Sequence, residues 1–136
     1  MEKEFIPYEQ ALALKELGFD EPCFGWFRST LIPSNFTEYF LETIFGMNES
    51  PSDWVNSNFL DKACSAPLYS QAFRWFREKY RLSVLIQDWL DDYSGEIVEW
   101  TIGEDRIIYE ITNRTDTYEE AELECLKKLI EIVKNK

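Results

Sequence analysis

Arg74, Arg77 and Arg81 recur at steps of three and four inside the aromatic-rich stretch APLYSQAFRWFREKYRLSVLIQDWL, residues 66–90. Guanidinium groups set among rings are the chemistry of a nucleic-acid grip, where cations meet phosphates and rings stack on bases. Helical spacing argues for a different arrangement. Tyr69, Phe73, Phe76 and Tyr80 step by four, three and four, so the four rings form one core stripe while the arginines line another face, with only Trp75 off both. Arg74, Arg77 and Arg81 remain the candidate anion contacts.

Asp88, Asp91, Asp92 and Glu96 form a second polar cluster, one that invites comparison with calcium loops. Its spacing departs from D-x-[DN]-x-[DN]-G-x₅-E, and the aspartates fall where a hairpin turn is expected, so a solvated turn is the better reading. Histidine is absent altogether. That removes the commonest general base, the Ser-His and Cys-His pairs, and the imidazole ligands of zinc and iron. Among only five glycines there is neither G-x-x-x-x-G-K-[ST] nor G-x-G-x-x-G, which disfavours nucleotide chemistry on those scaffolds. Paired carboxylates can run acid-base chemistry, but among 26 acidic residues no spacing singles out a pair. The residues point to a chain that is not an enzyme and needs no cofactor or metal.

Twenty-six acidic residues against 14 basic ones give a formal net charge of -12. Such a field repels phosphate backbones and anionic lipid and steers the chain toward a basic protein partner. Cys23, Cys64 and Cys125 are odd in number and far apart, as expected of buried free thiols in a reducing compartment. The N-terminal MEKEFIPYEQ has no secretory pattern and no run is long enough to span a membrane, so a cytoplasmic location is expected, with no membrane contact. The sequons at Asn35, Asn48 and Asn113 are then coincidental.

These residues need elements to position them. PYEQALALKELGF reads as a first helix, with Pro7 at its first position, Ala11, Leu14 and Leu17 (beside Leu12) on one face and Gly18 closing it. CFGWFRSTLI reads as a strand. SNFTEYFLETIFGMN places Phe36, Tyr39, Phe40 and Ile44 at helical spacing between a cap at Ser34 or Asn35 and Gly46, which predicts a short helix. Residues 47–63 are polar and turn-rich and read as a loop or irregular excursion, with Trp54 and Phe59 as anchors. A helix begins at Pro67. RLSVLIQDWL, EIVEWTIG and RIIYEITNRT follow as an antiparallel meander, with DDYSGE and GEDR as turns. In the second strand, Ile97, Glu99 and Thr101 alternate with Val98, Trp100 and Ile102, which predicts one buried and one wet face. TYEEAELECLKKLIEIVKNK is a final helix opened by the capping box of Thr117 and Glu120, its apolar face laid across the meander.

Helix, three strands, helix is an order that resembles double-stranded-RNA-binding domains. There the last helix begins with lysines, whereas here Asp116, Glu119, Glu120 and Glu122 stand at that place and would repel phosphate. YEQALALKELGFDEPC, APLYSQAFRWFREKY and TYEEAELECLKKLIEIV together resemble a group of short uncharacterised proteins of Bacteroides-type gut bacteria and of their phages and mobile elements. The resemblance covers about the first 25 residues, the central helix and the C-terminal helix, and it implies context, a small intracellular accessory protein, without assigning any residue a role.

The expectation is a single α+β domain over residues 1–136: N-terminal helix and strand, central helix, three-stranded antiparallel meander, and a C-terminal helix packed on the sheet. The expected function is non-catalytic protein binding, in a sharper form an acidic inhibitor that offers carboxylates to a basic DNA-binding protein where phosphates would sit. Asp53, Trp54, Asp91, Asp92, Glu119 and Glu120 are the candidate partner contacts, and a homo-oligomer is compatible with them. Two alternatives stand beside it: a nucleic-acid-binding module using Arg74, Arg77 and Arg81, and a small-molecule or enzymatic pocket lined by Trp26, Trp75, Trp89 and Trp100.

Overall fold

Pro7 stands just ahead of helix α1 (Tyr8–Glu16) as its N-cap, one place earlier than the sequence suggests. In this computed structural model, residues 2–32, 36–43, 54–60, 62–103, 105–111 and 114–136 are described. The helix closes as expected on Gly18, whose φ of 100° only glycine adopts readily, with Phe19 N–H reaching back to Leu14 O. Ala11 and Leu14 are fully buried.

Strands β1 (Gly25–Ile32) and β2 (Phe36–Thr43) form an antiparallel pair running from Gly25 opposite Thr43 to Ile32 opposite Phe36. The helix expected from Phe36 is therefore a strand, and the residues proposed to cap it, with Ile44, lie outside the described ones. In eight residues the helical and alternating periods are hard to separate, and Phe, Tyr and Thr all favour the pleated surface once a partner strand satisfies the backbone. β3 (Cys64–Ala66) completes the order β2-β1-β3 by pairing with Gly25–Phe27. The expected lone strand is thus one of three. Tyr8 stacks on Tyr39 at 4.2 Å and meets Phe27 edge-on, while Trp26 stacks on Phe59 at 4.9 Å. Within the 47–63 excursion the described part is irregular, with one 3-10 turn at Asn56–Asn58. The buried Asn56 holds it in place: Nδ2 donates to Phe19 O at 2.7 Å and Oδ1 accepts from Ser65 N at 2.8 Å. Lys15 adds donations to Phe59 O and Ala63 O.

Residues 1–68 and 69–136 form two compact units. The second opens with α2 (Tyr69–Tyr80), which ends on Arg81 at a φ of 59°, a left-handed turn made without glycine. β4 (Leu82–Asp88), β5 (Tyr93–Trp100) and β6 (Arg106–Glu110) then make the expected antiparallel meander, with β5 central and only β5 pairing with β6 among the described residues. β5 begins inside the segment expected to turn, so the turn proper is residues 89–92. α3 (Tyr118–Lys134) starts as predicted, Thr117 Oγ1 accepting from Glu120 N at 3.1 Å, and packs on β5 and β4. Both helices and antiparallel sheets are present, which makes the class α+β.

Register divides the second sheet into two faces. Leu82, Val84, Ile86, Gly95, Ile97 and Glu99 share the face that carries the helices, while Ser83, Leu85, Ser94, Glu96, Val98 and Ile108 lie on the other. The expected wet-and-dry alternation of β5 fails at its centre, because Ile97, Val98 and Glu99 are all buried in succession. Glu99 is accommodated by partners: Lys136 Nζ lies 2.5 Å from Oε2, and Tyr109 donates to Oε1.

Candidate functional site

α2 and α3 flank β4 on the helix-bearing face and leave a cleft of about 440 Å³ between them. Its floor is Val84 and Ile86, which the pleat aims at the helices. One wall is the α2 face carrying Ser70, Phe73, Arg74 and Arg77; the other is the start of α3, with Tyr118 and Glu122. The core stripe of α2 is turned from the expected one: Tyr69, Ala72, Trp75 and Phe76 are buried, and Phe73 is only half-buried, at the cleft. Trp75, expected off both stripes, is core, with Lys79 Nζ 5.0 Å from its ring centroid. Arg74 and Arg77 reach the cleft together, whereas Arg81 is past the end of the helix and does not continue their row. Burial raises the Tyr118 hydroxyl above its ordinary pKa, and the negative charge of Glu122 adds to this.

The opposite face of the sheet is exposed around a buried Val98. Leu85 and Ile108 are about half exposed, as are Trp89 and Trp100 near the two ends of the face. Glu96 and Glu110 are direct cross-strand partners on this face, like charges that strand pairing disfavours. They line a groove of about 270 Å³ together with Leu85, Trp89, Ser94 and Arg114. Trp89 Nε1 donates to Ser94 Oγ at 2.7 Å, and Arg114 lies over the Trp89 ring while pairing with Asp92.

The residues proposed as partner contacts scatter. Asp53 lies outside the described residues. Trp54 is buried, edge-on to Trp26, so it anchors the first unit instead of meeting a partner. Asp91 is exposed in the β4–β5 turn, and Asp92 is half-buried against Arg114. Glu119 and Glu120 are exposed on the first turn of α3, where Glu120 Oε2 accepts from Asp116 N. Of the four tryptophans, Trp26 belongs to the first unit and Trp89 lines the groove of the second sheet, while Trp75 and Trp100 line neither that groove nor the cleft. Glu110 and Tyr118 line these surfaces without a signal in the sequence, and Glu96 and Glu122 stand out there only for the calcium-like cluster and the RNA-binding comparison; the strand register and the α2–α3 packing that select them involve residues far apart in the chain.

Asp88 Oδ1 accepts from Leu90 N, so one acid of the calcium-like cluster serves the turn. Among the described residues no three of Cys, Asp or Glu gather as metal ligands. Cys23, Cys64 and Cys125 are free and buried, and burial pushes the Cys64 and Cys125 thiols up to about 12. No helix among the described residues is long and apolar enough to cross a membrane. Comparison with protein-family models, with curated proteins and with solved structures finds no match to this chain.

Proposed function

We propose that this chain is a non-catalytic accessory protein that binds a basic protein partner through the open face of the second sheet. The observation that carries the reading is the composition of that face: Leu85, Ile108 and the two tryptophans exposed around two opposed carboxylates. Apolar surface left open and rimmed by polar groups marks a contact site, since water is displaced from it at a gain. A lysine or arginine set between Glu96 and Glu110 relieves their mutual repulsion, so a basic partner gains twice where a neutral one gains once. The net charge of -12 draws such a partner in from a distance and works against a second copy of the same chain. With the context that the gut-bacterial resemblance implies, a cytoplasmic target of the DNA-binding kind fits this chemistry, the acidic face taking the place of phosphates.

The test compares the tagged protein with its Leu85→Asp/Ile108→Asp variant in nuclease-treated lysate of a Bacteroides-type bacterium. A basic protein retained by the parent, released by a moderate salt step and lost from the variant supports the reading, because screened charges and a spoiled apolar face both weaken the contact. Equal retention by the variant, or a partner indifferent to salt, overturns it.

A further inference from the structure

The groove on the outer face of the second sheet has the shape and charge of a seat for one side chain. Leu85, Glu96 and Glu110 form a row across β4, β5 and β6, and Gln87 and Ser94 form the next row toward the β4–β5 turn. Trp89 stands at that end, its indole held by Ser94, and the space between is about 270 Å³. Glu96 and Glu110 face each other across strands whose opposed side chains stand ~5 Å apart at Cβ. Among the described residues neither carboxylate enters an ion pair or hydrogen bond. Arg114, which also lines the groove, is matched by Asp92 at 3.4 Å, so the double charge of the two glutamates stays uncompensated.

We infer that this groove takes an arginine side chain of the basic partner, the guanidinium bridging Glu96 and Glu110 and the methylene stem lying along Leu85; the inference rests on the contact role proposed above for this face. Two carboxylates on neighbouring strands can each accept from a different edge of one planar guanidinium, whereas an ammonium is a compact, strongly hydrated point charge that loses more on entering. An arginine stem covers apolar surface while its head stays among polar groups, which suits a row running from Leu85 to two acids. The chain uses the same chemistry at the rim, where the Arg114 guanidinium lies 4.9 Å from the centroid of the Trp89 ring while pairing with Asp92.

Nuclear magnetic resonance of the isotope-labelled protein tests this, by titration with a capped arginine tripeptide and with its lysine and citrulline analogues at constant ionic strength. The expected result is a saturable shift of the Trp89 indole and of the Glu96 and Glu110 amides with arginine, binding about tenfold weaker with lysine, and no shift with citrulline, which keeps the shape and lacks the charge. Glu96→Gln/Glu110→Gln loses the response and, freed of the repulsion, unfolds at no lower a temperature than the parent, which separates lost binding from lost folding. No shift at millimolar arginine tripeptide, equal binding of arginine and lysine, or binding that survives the double variant overturns the inference. So do shifts of the same size at the exposed Glu119 and Glu120 of α3, the mark of general attraction to an acidic surface. The tripeptide reads the groove without the partner. A saturable arginine shift beside unchanged lysate retention by Leu85→Asp/Ile108→Asp therefore refutes the wider reading alone, and the reverse pair of results refutes this one alone.

Discussion

Replacing Gly95 with alanine will destabilise the second unit, and deleting the Cys125 sulfur will reverse the sign of that effect. Gly95 lies on the helix-bearing face of β5, and a β-carbon there would sit far inside contact distance of Cys125 Sγ and 2.9 Å from Ile111 Cδ1. The Ile111 tip is the far end of a flexible side chain, whereas Cys125 is fully buried on α3, so its sulfur yields only by a rotamer change against a packed core or by a shift of the helix. Overpacking of this kind costs about 1–3 kcal/mol, while alanine recovers about 0.5–1 kcal/mol of the chain entropy that glycine loses in a strand. The net expectation for Gly95→Ala is a loss of about 1 kcal/mol. In a Cys125→Ala background the new methyl fills the space the sulfur left, so the same substitution becomes stabilising by about 0.5–1 kcal/mol, with a coupling of about 2 kcal/mol between the sites. Urea unfolding of the four proteins reads this directly, the midpoint moving while the slope stays constant. An equal effect of Gly95→Ala in both backgrounds would refute the account of how α3 seats on β5.

Asn56→Ala removes the donor to Phe19 O and the acceptor for the buried Ser65 N–H, at a cost of about 1–3 kcal/mol for the Ser65 N–H, and amide exchange at Ser65 should rise accordingly. Thr117→Ala removes the acceptor for Glu120 N and should cost about 1 kcal/mol, with exchange increasing in the first turn of α3. Stability will fall as the pH rises from about 9 toward 12. Cys64 and Cys125 stay protonated to about 12 when folded but ionise near 9 when unfolded, and Tyr69 behaves likewise from its ordinary 10. The unfolded chain therefore releases protons first, and each such group removes up to about 1.4 kcal/mol per pH unit in that window. A urea midpoint unchanged between pH 8 and pH 10.5 would contradict this.

The parts of the fold legible in the sequence are those specified by local chemistry. Thr117 and Glu120 mark the start of α3 because a cap is a contact between near neighbours, and the meander shows through its runs of Val, Ile, Trp and Thr separated by turns. Phe36–Thr43 misleads because its aromatic spacing suits a helix while its pairing with Gly25–Ile32 decides for a strand. Asn56 gives no signal, being one polar residue in a polar stretch whose importance lies in bonds to Phe19 and Ser65, 37 and 9 positions away. Arg74 and Arg77 were visible as a pair, yet the cleft they enter depends on Val84, Tyr118 and Glu122, and their relation is a matter of helix packing that periodicity along one element does not encode.

The outer edge of β6 carries a last consequence. Among the described residues no strand pairs with its outer edge, and a five-residue strand with Ile107 and Ile108 exposed at its middle and its outer backbone unpaired is the usual seed of fibrous aggregation. Arg106 and Glu110 stand exposed at its two ends, so an incoming strand would have to strip water from a guanidinium and a carboxylate before it gained its ladder of hydrogen bonds. These two end residues act as gatekeepers against edge-to-edge pairing.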